Sequence, residues 1–265
     1  MLVDTCGYVL SVIGRLISLF ILEWNLIQNK FQIIVMSKLY IVSTPIGNLK
    51  DITLRAVEVL READLVLCED TRQTKKLLDN YKIKKPLLAY HQRSRLTRVE
   101  KIVEHLQAGK NLALVTDAGT PGISDPGSEL VGKLVDSFDE KELQIVPIPG
   151  PAALTTLISV AGVNLSKFVF AGFPPNKKGR ETFFKKILAE ERPVIYYDSP
   201  YRFLKNLQLL QELNNNVKLF VVIGRELTKV FEEIKRGDLE SVLCYYQNCP
   251  DKVRGEFSII VSKVK

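Results

Sequence analysis

The segment Leu112-Ala-Leu-Val-Thr-Asp-Ala-Gly-Thr-Pro-Gly-Ile-Ser-Asp-Pro-Gly127 sets a carboxylate, Asp117, and two closely spaced glycines directly after an all-apolar run. Leu112 to Val115 suit a strand covered on both faces. A loop leaving such a strand lies at the C-terminal edge of a parallel sheet, where open α/β folds bind ligands. Asp117 can accept hydrogen bonds from a sugar hydroxyl or an amine, or it can stabilise its own turn as an Asx residue. Gly119 and Gly122 let backbone approach a ligand closely. Asp125 suits the cap of a following helix, with Pro126 at its first position.

One such loop alone reads more readily as an ordinary turn than as a site, but this one has company. Ser43-Thr-Pro-Ile-Gly-Asn-Leu49, Glu69-Asp-Thr-Arg-Gln-Thr74 and Pro147-Ile-Pro-Gly-Pro-Ala-Ala153 also follow short apolar runs. Together they argue for one built edge. Glu69 and Asp70 are carboxylates able to take a proton from a weak oxygen nucleophile, and Arg72 beside them can bind a phosphate. Asp70-Thr-Arg-Gln73 equally fits a helix start with Asp70 as its N-cap, so base and cap both stay open for that residue. Lys178, Arg180 and Glu226 are further candidates.

The elements that must hold these loops alternate in type. Strands are expected at Leu39–Val42, Asp64–Leu67, Leu112–Val115 and Gln144–Pro147, and helices at Thr53–Ala63, Thr71–Tyr81, Thr97–Ala108 and after Pro126. That alternation predicts a mainly parallel sheet covered by helices. From Pro151 a second unit begins, with helices over Ala152–Ala161, Arg180–Ala189 and Tyr201–Leu213. Its strands are expected at Phe168–Ala171, Val194–Tyr197, Val217–Ile223, Lys229–Ile234 and Phe257–Val261, in a sheet of mixed direction. No GxGxxG fingerprint follows the first strand, no phosphate-loop motif occurs, and two histidines without suitable neighbours give no Ser-His-Asp arrangement.

The chain has 265 residues, 46% hydrophobic content and a net charge of +7. Its four cysteines (Cys6, Cys68, Cys244 and Cys249) form no CxxC pair, so a reducing, cytoplasmic compartment and no structural metal are expected. Residues 1–35 stand apart. The apolar run 8–22 carries Ser11, Arg15 and Ser18 as a narrow polar stripe at helical spacing. It falls short of the ~20 residues of a transmembrane span, and its Arg adds a penalty of roughly 2.5–3.5 kcal/mol. The preferred reading is a lineage-specific extension or a translation start misassigned upstream of Met36; a membrane-surface helix over 8–22 is the lesser one.

The motifs TPIGNLKDIT, CEDTRQTKKLL, VTDAGTPGISDPG, PIPGPAA, GFPPNKKGR, YYDSPYR, GRELTK and GEFSIIV follow one another in that order. On them the chain, from about Lys38 onward, resembles the tetrapyrrole-methylase superfamily of S-adenosylmethionine (SAM) enzymes. Within it the chain resembles the ribosomal RNA small subunit methyltransferase I branch, which methylates a ribose 2′-hydroxyl. The resemblance implies an α/β protein of two domains, 36–150 and 151–265, with SAM in the cleft between them. It carries cofactor contacts onto Pro45, Gly47, Asp117, Ala118, Gly119, Thr120, Ala152 and Ala153, and from the second domain onto Tyr197, Gly224 and Gly255. It also implies a cytidine of small-subunit ribosomal RNA as acceptor, and a homodimer.

For that reaction Glu69, Asp70 and Arg72 are the catalytic candidates, since an acceptor within hydrogen-bond reach helps a 2′-hydroxyl attack. RNA contacts are expected from the basic loops: Lys177, Lys178 and Arg180, then Arg93 and Arg95 beside Arg98 and Lys101, then Lys82, Lys84 and Lys85, together with Arg202. Tyr90 and Tyr201 are candidates for stacking on bases. After His91 many relatives carry a second His and an Asn-Glu pair; here Gln92-Arg-Ser-Arg95 stands instead. Two rival readings remain. A methylase of corrinoid or porphyrin precursors typically carries Gly-x-Gly-x-Gly-Asp in its first loop, where this chain has Pro45-Ile-Gly-Asn48. A non-catalytic RNA-binding assembly factor is the other.

Overall fold

The first half of the chain builds a parallel sheet, because five short strands alternate with helices that each have one apolar face. In the computed structural model, which describes residues 36–91, 96–125 and 127–264, the strands are β1 (Ser37–Val42), β2 (Leu65–Cys68), β3 (Leu87–Ala89), β4 (Leu112–Val115) and β5 (Leu143–Ile148). They lie in the order β3-β2-β4-β1-β5, all parallel. The period of two sorts their side chains cleanly. Val66, Cys68, Ala113 and Val115 pack on one face under α1 (Leu54–Glu62) and α2 (Thr71–Asn80). Leu65, Leu67, Leu112 and Leu114 pack on the other under α3 (Leu96–Gln107) and α4 (Gly127–Ser137). Thr53 starts α1 by accepting the Ala56 N–H at 3.1 Å.

This order fixes where a ligand can sit. From β1 the chain crosses to β2 on one side; from β4 it crosses to β5 on the other. Adjacent strands whose connections diverge leave a crevice at their C-terminal ends. Here that crevice lies between the β1 loop and the β4 loop, which are stitched by Thr44 N–H to Gly119 O (2.9 Å) and Gly119 N–H to Thr44 O (3.1 Å).

The second sheet is mixed, in the order β6-β7-β10-β8-β9: β6 (Val169–Phe170), β7 (Val194–Asp198), β10 (Phe257–Lys263), β8 (Leu219–Arg225) and β9 (Glu233–Asp238). Only β6 and β7 pair parallel. One face carries α6 (Arg180–Ala189), α7 (Pro200–Leu213) and α8 (Leu239–Asn248), around Phe203 stacked on Phe257 at 3.8 Å. Burying each such ring contributes about 1.5–3 kcal/mol. The other face carries α5 (Ala153–Val160), and there Ile46 of the β1 loop joins Leu154, Leu157, Ile195, Val222 and Ile260. This apolar seam binds the two sheets, which belong to one unit, Ser37–Lys265.

The strand expected at Lys229–Ile234 is displaced to Glu233–Asp238. Glu226 and Thr228 have φ of 50° and 66°, and Lys229 N–H and Glu232 N–H bond back to Glu226 O and Lys229 O. The chain therefore turns where an extended run was expected. Strand β3 and helix α8 stand where no element was expected. The extension over 1–35, Pro126, Arg93 and Arg95 lie outside the described residues. Among the described residues no helix is long and apolar enough to cross a membrane.

Candidate functional site

At the crevice lies a cavity of about 480 Å³, within the range of small-molecule sites. The first sheet contributes the β4 loop (Asp117, Ala118, Gly119, Thr120), Glu69 after β2 and Ile46 after β1; α5 contributes Ala152 and Ala153 at its start. The second sheet contributes Tyr197 and Asp198 at the end of β7, Glu256 before β10, and Phe173. Five carboxylates, Glu69, Asp117, Asp125, Asp198 and Glu256, line it, and none of the described lining residues is Lys, Arg or His.

The loops are held by each other. Gly119 sits at φ +87°, a conformation that favours glycine, and an added Cβ would lie 3.4 Å from Ile46. The Thr120 hydroxyl donates to Pro151 O at 3.0 Å and lies 2.9 Å from the Ser43 hydroxyl, which ties the loops after β4, β5 and β1 together. Asp117 Oδ1 accepts the Asp70 N–H at 3.0 Å, joining the β4 and β2 loops. Asp125 holds the far end of the β4 loop, accepting the Gly122 N–H (2.8 Å) and the Gly127 N–H (2.7 Å). Ala152, the N-cap of α5, has no capping side chain; instead the Tyr197 hydroxyl accepts the Leu154 N–H at 3.0 Å.

Glu69 and Asp70 are adjacent but differ in environment. Asp70 caps α2, accepting the Arg72 N–H at 2.8 Å, and its carboxylate pairs with the Arg72 guanidinium at 2.9 Å. That guanidinium holds its pKa down at about 2. A carboxylate so weakly basic is a poor proton acceptor. Glu69 faces the cavity; partial burial raises its pKa first, the charges of Asp117 and Asp125 add to this, and His91 opposes it. Arg72 itself points outward, its side chain 88% exposed.

Asp198 was not anticipated, although it ends an apolar run and precedes Ser199-Pro200, the same strand-end pattern that marks the other loops. It is buried, and burial raises its pKa against the Asn206 amide (2.7 Å), the Ser199 N–H (2.8 Å) and the nearby Arg202 and Arg180. Glu256 was missed too. Its carboxylate accepts from Lys229 Nζ at 2.9 Å, and Lys229 also bonds Glu226 at 2.8 Å.

Four expected cofactor residues stand outside the lining. Pro45 is buried. Gly47 packs on the Thr228–Lys229 turn and Gly224 under Leu157 and Leu227. Gly255, at φ +80°, lies against the Glu226 carboxylate. Of the RNA candidates, Lys177 and Lys178 are exposed and Arg180 opens α6. Arg202 turns its guanidinium inward, to Pro174 O (3.1 Å), the Asn176 side chain and the Ser199 hydroxyl (3.2 Å). Tyr90 is 2% exposed, packed with Leu106, Leu130 and Leu134 against the first sheet, and its ring is not available to stack on a base. Tyr201 is 90% exposed. Among the described residues no group of three or more His, Cys, Asp or Glu is arranged to hold a metal ion.

Residues 38–243 match the model of the family Tetrapyrrole (Corrin/Porphyrin) Methylases. The chain is 41% identical over 227 residues to the ribosomal RNA small subunit methyltransferase I of Thermotoga maritima, covering 86% of this chain and 99% of that protein. It is 39% identical to the protein of that name from Bacillus subtilis, covering 85% and 75%. Among solved structures, the methyltransferase CobJ superposes with a TM-score of 0.61 at 19% identity, covering 86% of this chain and 95% of that one. The cobalt precorrin-4 methyltransferase CbiF gives 0.62 at 18%, covering 85% and 94%. At such identities the likeness shows the fold alone.

Proposed function

The chain belongs to the tetrapyrrole (corrin/porphyrin) methylase family and to its ribosomal RNA small subunit methyltransferase I branch, and from that premise we propose that it transfers a methyl group from SAM to the 2′-hydroxyl of a cytidine in small-subunit ribosomal RNA. The observation that carries the reading is electrostatic. A chain of net charge +7 lines this cavity with five carboxylates and carries its loop cations outside it. A cationic small molecule suits the inside and a polyanion the outside.

The donor set fits SAM: carboxylates for the sulfonium and ammonium charges, and Ile46, Ala118, Ala152 and Ala153 beside backbone polar groups for the rest. Bound there, SAM supplies an electrophilic methyl carbon. Residues 117–120, Ala152, Ala153 and Tyr197 would hold it; Pro45, Gly47, Gly224 and Gly255 would support that wall from behind. Glu69 is the acceptor of the ribose hydroxyl proton, while Asp70 and Arg72 fix the start of α2 beside it. Alignment of the hydroxyl, within roughly 3–3.5 Å of the reacting carbon, supplies much of the rate. Lys177, Lys178 and Arg180 position the RNA by its phosphates, with Arg93 and Arg95 as further contacts. The proposal includes two domains, 36–150 and 151–265, a homodimer and a cytoplasmic setting, which the free cysteines suit.

Labelled SAM and small ribosomal subunits lacking the modification provide the test. Label mapped to a cytidine ribose supports the reading. Label only in a tetrapyrrole supports the corrinoid alternative, and SAM and RNA binding without transfer supports an assembly factor.

A further inference from the structure

The rim of the cavity on the second-sheet side is aromatic and open. Phe173 lines the cavity yet is 51% exposed, with its ring edge-on to Tyr197 at 5.4 Å. Tyr201, in the first turn of α7, follows directly on the lining residues Ser199 and Pro200 and is 90% exposed. A large ring left almost wholly in water beside a cavity does nothing for the core. The two rings come from separate segments, and one side chain joins those segments. Arg202 donates to Pro174 O at 3.1 Å and to Asn176, and through Nε to the Ser199 hydroxyl at 3.2 Å. The residue after Phe173 is thereby tied to the residue after Tyr201. Lys177 and Lys178 continue the same loop, exposed.

We propose that Phe173 and Tyr201 form a stacking shelf for an unpaired nucleobase of the RNA, and that Arg202 is the positioning residue that sets the shelf. The inference rests on the RNA reading above. A ribose hydroxyl reaches an enclosed site only if its nucleotide is splayed out of the folded RNA, and a splayed base needs an apolar face to replace its lost stacking. Aromatic rings supply that face for any base, and flanking lysines supply charge for the adjoining phosphates. Arg202 acts through its fork: three acceptors on two segments demand a planar guanidinium, which a lysine cannot reproduce.

The experiment measures methyl transfer to small ribosomal subunits lacking the modification, with KM for the subunits and for SAM determined separately and S-adenosylhomocysteine affinity measured by calorimetry. Tyr201→Ala should raise the subunit KM about tenfold to a hundredfold, leaving S-adenosylhomocysteine affinity within about twofold. Tyr201→Trp should restore the subunit KM. Arg202→Lys, which keeps the charge, should raise it as well; an unchanged value would remove Arg202 from the shelf. Ultraviolet cross-linking of the unaltered chain to the subunits should give nucleotide adducts on peptides containing Phe173 or Tyr201. Subunit KM values within twofold of the unaltered chain for both Tyr201→Ala and Phe173→Ala, while transfer to RNA proceeds, would overturn the shelf and spare the RNA reading. No label in RNA from the unaltered chain, or label only in a tetrapyrrole, would remove both.

Discussion

Two adjacent carboxylates show how environment divides labour between like residues. Asp70 is committed to the α2 cap and to Arg72, which hold its pKa down at about 2. Glu69 has its pKa raised by burial and by the Asp117 and Asp125 charges. Substituting Glu69→Gln should lower kcat by roughly 10²–10⁴, while Asp70→Asn should change it only a few-fold. With Glu69 acting as proton acceptor, kcat/KM rises with pH through a limb above the ordinary Glu range of about 4.3. Asp117→Asn removes a charge that raises this pKa and should move the limb to lower pH; a limb that stays put in pH–rate profiles would exclude Glu69. The stability sign is the reverse of the usual acid case. A carboxylate whose pKa folding raises adds stability below its unfolded pKa, and that contribution is lost as pH rises through the folded one. Glu69→Gln should therefore unfold at slightly higher denaturant near neutral pH even as activity falls.

Elements carry the site by capping one another across the cleft. Helix α5 begins at a small residue without a capping side chain, and the Tyr197 hydroxyl from β7 takes the Leu154 N–H instead. Tyr197→Phe should cost about 1–2 kcal/mol in urea unfolding and weaken S-adenosylhomocysteine binding severalfold, because the Ala152–Ala153 wall loses its anchor. Gly255→Ala should act through the other support. At φ +80° a side chain is strained, and its Cβ would lie 2.2 Å from the Glu226 carboxylate that Lys229 and the Glu256 N–H share. A loss of about 1–3 kcal/mol is expected. Most elements were legible in the sequence because burial imposes the periods: Leu112–Val115 reads as a strand with the bounds it has. What escaped had weak local signal. Strand β3 is three half-buried residues after Pro86, and the strand expected at Lys229–Ile234 slipped because Glu226 and Thr228 adopt positive φ without being glycine. Within the cavity, the loops after β1, β2, β4 and β5 were legible from their Gly and Pro content. Asp198 carries the same strand-end signal as those loops, whereas Glu256 was not legible, since only the pairing of β10 with β7 brings it to that wall.

At the scale of the whole molecule, the cavity and the loop beside it carry opposite charges. The cavity concentrates carboxylates, whereas Lys177 and Lys178 stand exposed on the loop before α6 and Arg180 opens that helix. Two ligands of opposite charge should then respond differently to salt. Each phosphate neutralised by an exposed cation releases counterions, so the RNA affinity should fall linearly on a log–log plot with salt, by about 0.7–0.9 per contact. A small ligand enclosed between the two sheets exchanges few counterions and is little screened at short range. Replacing Lys177, Lys178 and Arg180 together by Gln should flatten the RNA slope by about two, weaken binding alike for cognate and unrelated RNA, and leave S-adenosylhomocysteine affinity unaltered. Filter binding between 50 and 200 mM salt, paired with calorimetry, separates the outcomes. A slope that does not change takes this loop off the RNA path, whereas a parallel loss of S-adenosylhomocysteine binding means that the loop shapes the cavity wall through Phe173 and does not act by charge.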